Sequence, residues 1–330
     1  MNSTTEIFDE VPKIVIFGGS GFIGTHLIRA LNTKGDVRIV SVDINPPNEK
    51  FDNVEYLVAD VRNLGSLKIF GAIHRIYDLA ALCTIPKYEA HEYYDVNVSG
   101  AISITDFARR HSVQDIVFVS SMATYGAGER QLPETAEQTP DNAYGWSKLI
   151  AERVYDAWRL EDNERKLIIC RPAVIFGKGE NGNFTRLARL LRYGLFVYPG
   201  RRSTIKACYY VKHLVADLLQ LESSNRSKIL IFNACYDTKY TIESIVQTFE
   251  KSMNRRVFAI TVPNWLLILM SKILQIGDIL GLGVHPDRVR KLSTSTDLEP
   301  AFLRGQGFAR GNCLFAALED WKSESNGEWV

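Results

Sequence analysis

The sequence has little of what marks a disulfide-bonded or metal-binding protein. Its five cysteines are odd in number and form no CxxC pair, and its six histidines form no HxH or HxxxH pair. This pattern indicates reduced thiols in the cytoplasm and excludes a disulfide framework and a zinc site. We therefore expect no protein-bound metal.

The chain also has almost no excess of one charge sign over the other. The 39 basic and 38 acidic residues give a net charge of +1, with the basic residues dispersed along the chain. A nucleic-acid-binding surface is therefore not expected. The segment MNSTTEIFDE at the start is acidic and polar, which is not typical of a signal peptide. With 46% hydrophobic residues, the chain can bury a large core.

Long apolar runs are rare, with one exception at residues 262–284. Ser271, Lys272 and Asp278 interrupt this run, and a charge in the middle of a bilayer is costly, so a true membrane span is disfavoured. Two interpretations stay open: a helix buried in the core, or a helix at the membrane interface with Trp265 at the headgroup boundary. The first predicts a cytoplasmic protein, and the second predicts one that is peripheral at the inner membrane face.

A glycine-rich turn lies between a predicted strand and a predicted helix. Gly18, Gly21 and Gly24 follow the apolar run KIVIF, and the helix is predicted over residues 22–33. Such glycines permit a tight turn, a close approach of the backbone to a pyrophosphate and close packing of helix on strand. Asp43 ends the next apolar run, about 20 residues on, where a carboxylate can accept hydrogen bonds from both adenosine ribose hydroxyls. Because a carboxylate repels a 2′-phosphate, the predicted cofactor is NAD rather than NADP.

Apolar runs alternate with helical segments through the first half of the chain. The predicted strands are 54–59, 76–79, 116–119 and 167–170, and the predicted helices are 88–110 and 142–160, with a short helix after Asp60. Strands that alternate with helices predict right-handed crossovers and a parallel sheet covered on both faces. We therefore predict an α/β protein with a doubly wound parallel sheet of the Rossmann type.

The alternation weakens in the second half. There we predict a loop at 177–182, a helix at 184–192 and strands at 209–211 and 229–233. We expect an NAD-binding domain over residues 1–172, with strands near 205–235 returning to the sheet. Residues 173–204 and 236–330 are expected to form a smaller, interleaved C-terminal lobe that binds the substrate.

Tyr144 and Lys148 lie four residues apart near the start of a predicted helix, so their side chains share one face. A phenol is a poor base at neutral pH, and a nearby ammonium group lowers its pKa by favouring the phenolate. This predicts Tyr144 as a general acid/base acting on an alcohol. Ser121 ends a predicted strand, which places its hydroxyl in the ligand-binding crevice of such a sheet. Taken alone, a chance Tyr–Lys spacing and a turn-forming serine pair remain simpler interpretations.

Several further motifs occur in a fixed order along the chain. They are GGSGFIG at 18–24, Asp43, Asp60-Val61, Leu79-Ala80-Ala81, Asn97-Val98-Ser99-Gly100, Ser120-Ser121, Tyr125-Gly126, Tyr144-Gly145-Trp146-Ser147-Lys148 and Arg171-Pro172. In this order they resemble the extended short-chain dehydrogenase/reductases, and among these the NAD-dependent epimerase/dehydratase family of sugar-nucleotide enzymes. The resemblance covers nearly the whole chain.

The resemblance implies roles for individual residues. Tyr144 would be the acid/base, Lys148 would tune it and hold the nicotinamide ribose, and Ser121 would polarise the reacting oxygen. The implied NAD contacts are Gly18, Gly21, Phe22, Ile23, Gly24, Asp43, Asp60, Val61, Ala80, Ala81, Asn97, Tyr144, Lys148 and Pro172. Asn183 and Lys206 are implied, with Ser121, as substrate contacts.

Departures from the family pattern narrow the reaction. Dehydratases of the family carry an Asp-Glu pair where this chain has Met122 and Ala123, which cannot exchange a proton, so dehydration is not expected. Soluble nucleotide-sugar epimerases carry an Arg-Asp pair where this chain has Lys206 and Ala207. We expect Lys206 to neutralise the substrate diphosphate, a solvated surface lysine being the alternative. The stretch from Arg171 to Lys206 resembles bacterial sugar 4-epimerases of surface-polysaccharide synthesis, which use nucleotide sugars or undecaprenyl-diphosphate sugars.

The resemblance therefore predicts an NAD-dependent 4-epimerase of a hexose or N-acetylhexosamine on a diphosphate carrier, a UDP-sugar or a polyprenyl-diphosphate sugar. Such an enzyme serves polysaccharide or O-antigen precursor synthesis. The alternative is a 4-keto-sugar reductase or a 3β-hydroxysteroid-type dehydrogenase. A non-catalytic dinucleotide-sensing regulator is disfavoured because Tyr144 and Lys148 are both present. We expect a homodimer, with peripheral membrane contact if the carrier is a lipid.

Overall fold

The computed structural model describes residues 11–84, 87–224, 227–263, 265–266 and 294–330. The chain divides into two compact units. The first unit comprises Met1–Thr124, Gln138–Arg171 and Lys212–Phe232, and the second comprises Tyr125–Glu137, Pro172–Val211 and Asn233–Val330.

Strands and helices alternate along most of the chain. The strands are β1 (Lys13–Phe17), β2 (Arg38–Asp43), β3 (Val54–Val58), β4 (Arg75–Asp78), β5 (Asp115–Val119), β6 (Gly128–Leu132), β7 (Lys166–Pro172), β8 (Val174–Phe176), β9 (Leu195–Pro199), β10 (Cys208–Tyr210), β11 (Ile229–Ala234), β12 (Phe258–Val262) and β13 (Thr296–Leu298). The helices are α1 (Phe22–Lys34), α2 (Ala90–Arg110), α3 (Ala143–Leu160), α4 (Asn183–Arg192), α5 (Val211–Ser224), α6 (Ile242–Met253), α7 (Ala301–Gly305) and α8 (Leu314–Glu324), with a 3₁₀ helix over Met122–Tyr125.

A seven-stranded parallel sheet organises the first unit, in the order β11-β7-β5-β4-β1-β2-β3. The chain runs outward from β1 through β2 to β3, then crosses to β4 on the other side of β1. Strand order therefore reverses between β1 and β4, and ligands of such sheets bind in the crevice at the carboxyl ends of these two strands. The predicted α/β fold with a doubly wound Rossmann sheet is confirmed.

One face of this sheet packs against α2 and α3. Val15 and Phe17 of β1 pair in register with Val40 and Val42 of β2, so the four side chains lie on one face of the sheet. All four are buried in the same core cluster as Phe107 of α2. The rings of Phe17 and Phe107 meet edge to face, with centroids 5.6 Å apart. Burial of one such side chain stabilises the fold by about 1.5–3 kcal/mol. The buried faces of α2 and α3 thus fix both helices against the strands that carry the motifs.

The ends of the motif-bearing helices follow from local chemistry. The α3 helix begins after Asn142, whose side-chain Oδ1 accepts the Gly145 N–H at 3.0 Å and caps the first turn. The α1 helix ends before Gly35, which adopts a left-handed φ of 69° and donates its N–H to the Leu31 carbonyl. The observed bounds of both helices lie within one residue of the predicted ranges 22–33 and 142–160.

Within its described residues, the second unit contains three two-stranded parallel sheets: β8 with β10, β9 with β12, and β6 with β13. Its core is aromatic. Phe176 of β8 stacks on Phe184 of α4 at 4.5 Å and lies 6.0 Å from Trp321 of α8. Of the two strands that we expected near residues 205–235, β11 joins the seven-stranded sheet, whereas β10 pairs with β8.

The predicted short helix after Asp60 is wrong. Residues 61–70 form turns instead, with the Asn63 N–H bonded to the Asp60 carbonyl and the Leu67 N–H bonded to the Leu64 carbonyl. Gly65 disfavours a helix in this stretch. Leu64 is fully buried, and the burial of this side chain stabilises the turn conformation of the segment.

The apolar run at 262–284 lies for most of its length outside the described residues. Val262 ends β12, and Trp265 and Leu266 are the last described residues before the gap. In the ranges that the structure describes, no helix combines the length and the apolar character needed to cross a bilayer.

Candidate active site

The turn after β1 meets the loop after β4 at the point where strand order reverses. Gly18 has a φ of 78°, and a Cβ atom at this residue would lie 2.6 Å from the backbone nitrogen of Ala80. Only glycine tolerates both the left-handed backbone and this approach. The two loops predicted to line the cofactor path are therefore in direct contact.

The amino terminus of α1 carries no side-chain cap. Gly21 is the N-cap residue, it makes no capping hydrogen bond from a side chain, and the first turn of α1 contains no acidic residue. The first backbone N–H groups and the positive end of the helix dipole can therefore receive an anion. Phe22, Ile23 and Gly24 belong to this first turn, which fits the pyrophosphate of a dinucleotide.

Asp43 lies at the carboxyl end of β2, beside this turn. Its Oδ2 accepts the Ser20 N–H at 3.1 Å and its Oδ1 accepts the Asn45 N–H at 2.9 Å. These bonds fix the carboxylate and leave further lone pairs, since each carboxylate oxygen accepts more than one hydrogen bond. The half-buried Asp43 thus fits the ribose hydroxyls of NAD.

Asp60 and Val61 follow β3. Arg62 binds the Asp60 carboxylate through Nε, at 3.0 Å from each oxygen, and this hydrogen-bonded pair lowers the pKa of Asp60. The same arginine reaches Asp95 at 2.7 Å. Val61 is buried and packs close to Gly100 on α2, where a Cβ atom would lie 3.1 Å from the valine. Arg62, which the sequence analysis did not single out, therefore holds Asp60 in place.

A network of hydrogen bonds fixes the loop at 80–84. Asp78 is buried; its carboxylate accepts the Ala80 N–H at 3.0 Å and the Tyr155 hydroxyl at 2.6 Å. The Asn97 amide accepts the Leu82 N–H at 2.9 Å and donates to the Leu82 carbonyl at 3.1 Å. Its other N–H donates to Ser147 on α3 at 2.9 Å. Asn97 therefore joins this loop to α3 and uses its donors within the protein.

Ser121 and Tyr144 lie together although 23 residues separate them in sequence. Their side chains share a hydrogen bond, and Ser121 Oγ also accepts the Ala123 N–H at 3.1 Å. The start of α3 reaches the 3₁₀ helix because residue 145 is glycine: a Cβ atom at Gly145 would lie 2.4 Å from the Ala123 carbonyl oxygen. The YGWSK motif thus needs its glycine for this contact.

The pKa of Tyr144 differs from the expectation. Burial raises it above the ordinary value for tyrosine, Cys83 raises it further, and the hydrogen bond to Ser121 opposes the rise. The predicted lowering by Lys148 is not found. The ammonium group of Lys148 lies 4.2 Å from the Phe118 ring centroid, and the carboxylates that act on it electrostatically are Asp78 and Glu152.

Lys148 is 2% exposed, which is rare for a lysine. Burial lowers its pKa, and the Asp78 carboxylate, Cys83 and the Glu152 carboxylate oppose the lowering. A buried ammonium group with few fixed partners is typical of functional sites. Its place on α3, one turn after Tyr144, fits a group that holds a ribose and stabilises a phenolate.

A buried ion pair supports this region, and the sequence analysis did not identify it. Glu152 of α3 receives Nε and Nη2 of Arg171 at 2.9 and 2.7 Å, and its two oxygens also accept Ser120 at 2.6 Å and Gln138 at 3.0 Å. Both charged side chains are almost fully buried. The pair fixes α3 to the carboxyl ends of β5 and β7, next to Ser121.

Three of the five cysteines, Cys170, Cys208 and Cys235, are buried, whereas Cys83 lies near the predicted acid/base. It is exposed, in the loop at 80–84, and it acts electrostatically on both Tyr144 and Lys148. Among the residues that the structure describes, no three His, Cys, Asp or Glu side chains are grouped so as to hold a metal ion.

The remaining predicted residues belong to the second unit. Pro172 ends β7 and is buried, and Asn183 is the exposed first residue of α4. Lys206 is half-buried and donates from Nζ to the Thr294 carbonyl at 2.6 Å, so it is not a solvated surface lysine. Burial lowers its pKa to about 8, with Glu129 opposing and Arg201 assisting the shift.

Known proteins of similar sequence and fold are sugar epimerases. The chain is 26% identical to the N-acetyl-alpha-D-glucosaminyl-diphospho-ditrans,octacis-undecaprenol 4-epimerase of Escherichia coli O157:H7, over 93% of each chain. It is 32% identical to a UDP-glucose 4-epimerase of Lacticaseibacillus casei, over 68% of this chain and 64% of the relative. The structure of the UDP-Glc/GlcNAc 4-epimerase of Campylobacter jejuni shares the fold, with a TM-score of 0.73 at 18% identity, over 95% of this chain and 99% of the other.

The profile of one protein family extends from β1 to the start of β9, residues 14–196. This span holds the glycine turn, Asp43, the serine of β5 and the Tyr–Lys pair of α3, which the structure brings to one edge of one sheet. The resemblance expected from the motifs is therefore confirmed: the chain belongs to the NAD dependent epimerase/dehydratase family.

Proposed function

We propose that this protein is an NAD-dependent 4-epimerase of a hexose or N-acetylhexosamine carried on a diphosphate. The observation that carries the proposal is the hydrogen bond between Ser121 and Tyr144, one helical turn from the buried Lys148, at the carboxyl edge of the sheet. The named 4-epimerases among its relatives support the reaction class. Met122 and Ala123, which follow the catalytic serine, offer no acid or base for dehydration.

In this proposal Tyr144 takes the proton from the sugar hydroxyl and later returns it, while Ser121 hydrogen-bonds the same oxygen. When bound, NAD supplies the hydride acceptor and donor, and its oxidised ring adds a positive charge. Because burial raises the pKa of Tyr144, a positive charge beside the phenol is needed to form the phenolate. The oxidised ring of bound NAD would provide this charge, while Lys148, one turn further along α3, would hold the nicotinamide ribose.

We propose that the first unit binds NAD. The uncapped start of α1, with Gly18, Gly21, Phe22, Ile23 and Gly24 around it, would take the pyrophosphate, and Asp43 the adenosine ribose. Asp60 and Val61 would flank the adenine, while Ala80 and Ala81 would line the path to the nicotinamide, with Pro172 at its border. Asn97 would act by holding the loop at 80–84 rather than by direct contact.

We propose the second unit as the substrate-binding lobe, with Asn183 and Lys206 as contacts to the sugar diphosphate. A pKa of about 8 leaves most of Lys206 charged at neutral pH. Lysine acts here as a point charge, so it would grip a diphosphate less tightly than a bidentate arginine.

A homodimer is part of the proposal. Ile102 on α2 and Trp146 and Ile150 on α3 are exposed apolar side chains on two helices that pack together. Large exposed apolar groups on adjacent helices are typical of a subunit interface. If the carrier is a polyprenyl diphosphate, the protein would also contact the cytoplasmic face of the inner membrane peripherally.

Product analysis tests the function. The purified protein is incubated without added cofactor with UDP-glucose, UDP-N-acetylglucosamine and polyprenyl-diphosphate N-acetylglucosamine, and the sugars are resolved by chromatography. We expect NAD to co-purify and one substrate to form its C4 epimer. Stoichiometric consumption of added NADH without epimer formation would instead identify a keto-sugar reductase.

A further inference from the structure

The two-stranded sheet of β9 and β12 presents an apolar face to the outside. Register pairs Leu195 with Phe258 and Val197 with Ile260, so these four side chains lie on the same side of the sheet. Phe258 is 69% exposed, Leu195 54%, Ile260 43% and Val197 40%. We call these four residues the ribbon face. In contrast, the strands of the β8–β10 sheet are largely buried.

The opposite side of the same sheet faces the protein. Tyr198 is buried and its ring meets that of Phe196 edge to face, with centroids 5.0 Å apart. A sheet with one buried side normally carries polar residues on the other. Here the exposed side is apolar instead, which marks the ribbon face as a surface that contacts something other than water.

Aromatic residues flank the ribbon face. Tyr193, two residues before β9, is 78% exposed, and Trp265, three residues after β12 ends, is 67% exposed. Tyrosine and tryptophan are enriched at the boundary between lipid headgroups and acyl chains, where an apolar ring can carry a polar tip.

Arginines surround the start of the ribbon. Arg189 and Arg192 occupy the last turn of α4, and Arg255 and Arg256 precede β12; all four side chains are exposed. Arg255 donates from Nη1 to the Arg192 carbonyl at 3.1 Å, which joins the two arginine pairs. Glu328 lies 3.7 Å from Arg192. Glu250 accepts the Val257 N–H at 2.6 Å just before β12, so at this end of the ribbon these four arginines outnumber these two carboxylates, and we call this end the cationic rim.

We propose that the ribbon face docks on an anionic phospholipid surface. An apolar centre with an aromatic border and a cationic rim matches the acyl boundary and the headgroups of such a membrane. A second copy of this chain would place arginine against arginine around the patch, so charge complementarity favours lipid. The inference rests on the proposed lipid-side location of the enzyme, and it names the surface that makes the contact.

Vesicle co-sedimentation of the full chain tests the surface. The double variant Leu195→Ser/Phe258→Ser is compared with wild type on phosphatidylglycerol–phosphatidylcholine vesicles, and Phe70→Ser, at an 82%-exposed phenylalanine of the first unit, is the matched control. We expect binding by the double variant to be weaker by about tenfold or more, and unchanged binding by the control. Arg189→Gln/Arg256→Gln should weaken binding to these vesicles but not to pure phosphatidylcholine.

Three results would overturn the surface. The first is vesicle binding by the double variant that equals that of the wild type. The second is a larger elution volume of the double variant on size exclusion, which would mean that a second copy covers the face in the wild type. The third is a lower melting temperature of the double variant, which would mean that the chain itself covers the face. Epimerase activity on a soluble UDP-sugar is measured in parallel. The same assay is run with polyprenyl-diphosphate N-acetylglucosamine. If neither substrate is epimerised while ribbon-dependent vesicle binding remains, the proposed function fails and the docking surface stands.

Discussion

Tyr144 illustrates what a single residue reveals in sequence and what it does not. Its spacing from Lys148 places both on one face of α3, as the structure has it. The pKa, however, depends on Cys83, Tyr93 and the depth of burial, which come from distant parts of the chain. Spacing therefore predicts which side chains share a face, and only the assembled surroundings determine their protonation.

Tyr144→Phe should lower turnover by about 10²-fold or more, because it removes the group proposed to exchange the proton. NAD should stay bound, since the phenyl ring remains. Steady-state kinetics and the absorbance of the purified protein measure both. Tyr193→Phe is the matched control: this tyrosine is 78% exposed and belongs to the second unit, so loss of its hydroxyl should leave turnover unchanged. Near-native turnover of Tyr144→Phe would contradict the assignment.

Lys206 should make substrate binding depend on pH. Below its pKa of about 8 the ammonium group is charged and can neutralise the substrate diphosphate; above it the charge is lost, so KM should rise as pH increases through this value. In Lys206→Arg the guanidinium stays charged, so KM should remain flat over the same range. Initial rates between neutral and alkaline pH provide the measurement. A pH-independent KM in the wild type would place Lys206 away from the diphosphate.

At the scale of elements, the contact between α3 and the 3₁₀ helix decides whether Ser121 reaches Tyr144. Gly145→Ala would place a methyl group 2.4 Å from the Ala123 carbonyl oxygen, which belongs to the backbone and cannot rotate away. The helix start must shift, and a displacement near 1 Å costs about 10²-fold in rate. The variant should therefore lose turnover while it remains folded, as circular dichroism would verify.

Gly305→Ala is the control for this substitution. Gly305 ends α7, and a Cβ atom there would meet nothing within 4 Å. Alanine is the better helix former, so this variant should keep full turnover and be no less stable. Equal turnover of the two alanine variants would show that the tight contact at Gly145 does not position the site.

The buried ion pair between α3 and β7 should dominate the local stability. Glu152→Ala leaves the Arg171 guanidinium buried without its carboxylate, which is expected to cost about 3–5 kcal/mol in the free energy of unfolding. Glu161→Ala removes an exposed partner of Arg109 and should cost only about 0–1 kcal/mol. Denaturant titration measures both. Similar losses for the two variants would mean that water reaches the Glu152 site.

Sequence patterns placed the elements that have local markers. The helices predicted over residues 22–33 and 142–160 agree within one residue at each end with α1 and α3, because capping depends on a few neighbouring residues. The helix expected after Asp60 failed, because buried Leu64 outweighs local helix periodicity. The Glu152–Arg171 pair could not be predicted, since its strength comes from burial created by the whole sheet.

For the whole molecule, cofactor binding should be coupled to global stability. A ligand that binds only the folded protein raises the melting temperature by mass action. NAD should therefore stabilise the chain, and NADP should do so less because its 2′-phosphate meets the Asp43 carboxylate. Thermal shift assays on protein freed of bound cofactor measure the difference.

Asp43→Ser is the informative variant for this coupling. It removes the repulsion and two hydrogen-bond acceptors, so the stabilisation by NAD should fall and that by NADP should rise. Equal shifts with both cofactors in the wild type would remove Asp43 as the selective residue.

The order of the large sheet explains why the fold class was predictable from one sequence. Alternating apolar runs and helices leave few topologies open, and the glycine turn after β1 identifies the first strand. The pairing of β10 with β8, and of β6 with β13, joins short segments far apart in sequence. No local pattern specifies such partners, so the helix α4 was predicted from sequence, whereas the strand pairing of the second unit followed from the structure alone.

The missing side-chain cap of α1 lowers the stability of the helix but leaves its first N–H groups available to bind an anion. An aspartate or serine at position 21 would satisfy backbone donors that Gly21 leaves open, and such a change ordinarily strengthens a helix. It would also occupy the donors that an incoming anion requires. At position 21, selection for a more stable fold and selection for ligand binding therefore favour different residues. Such a trade-off between stability and activity is common at active sites.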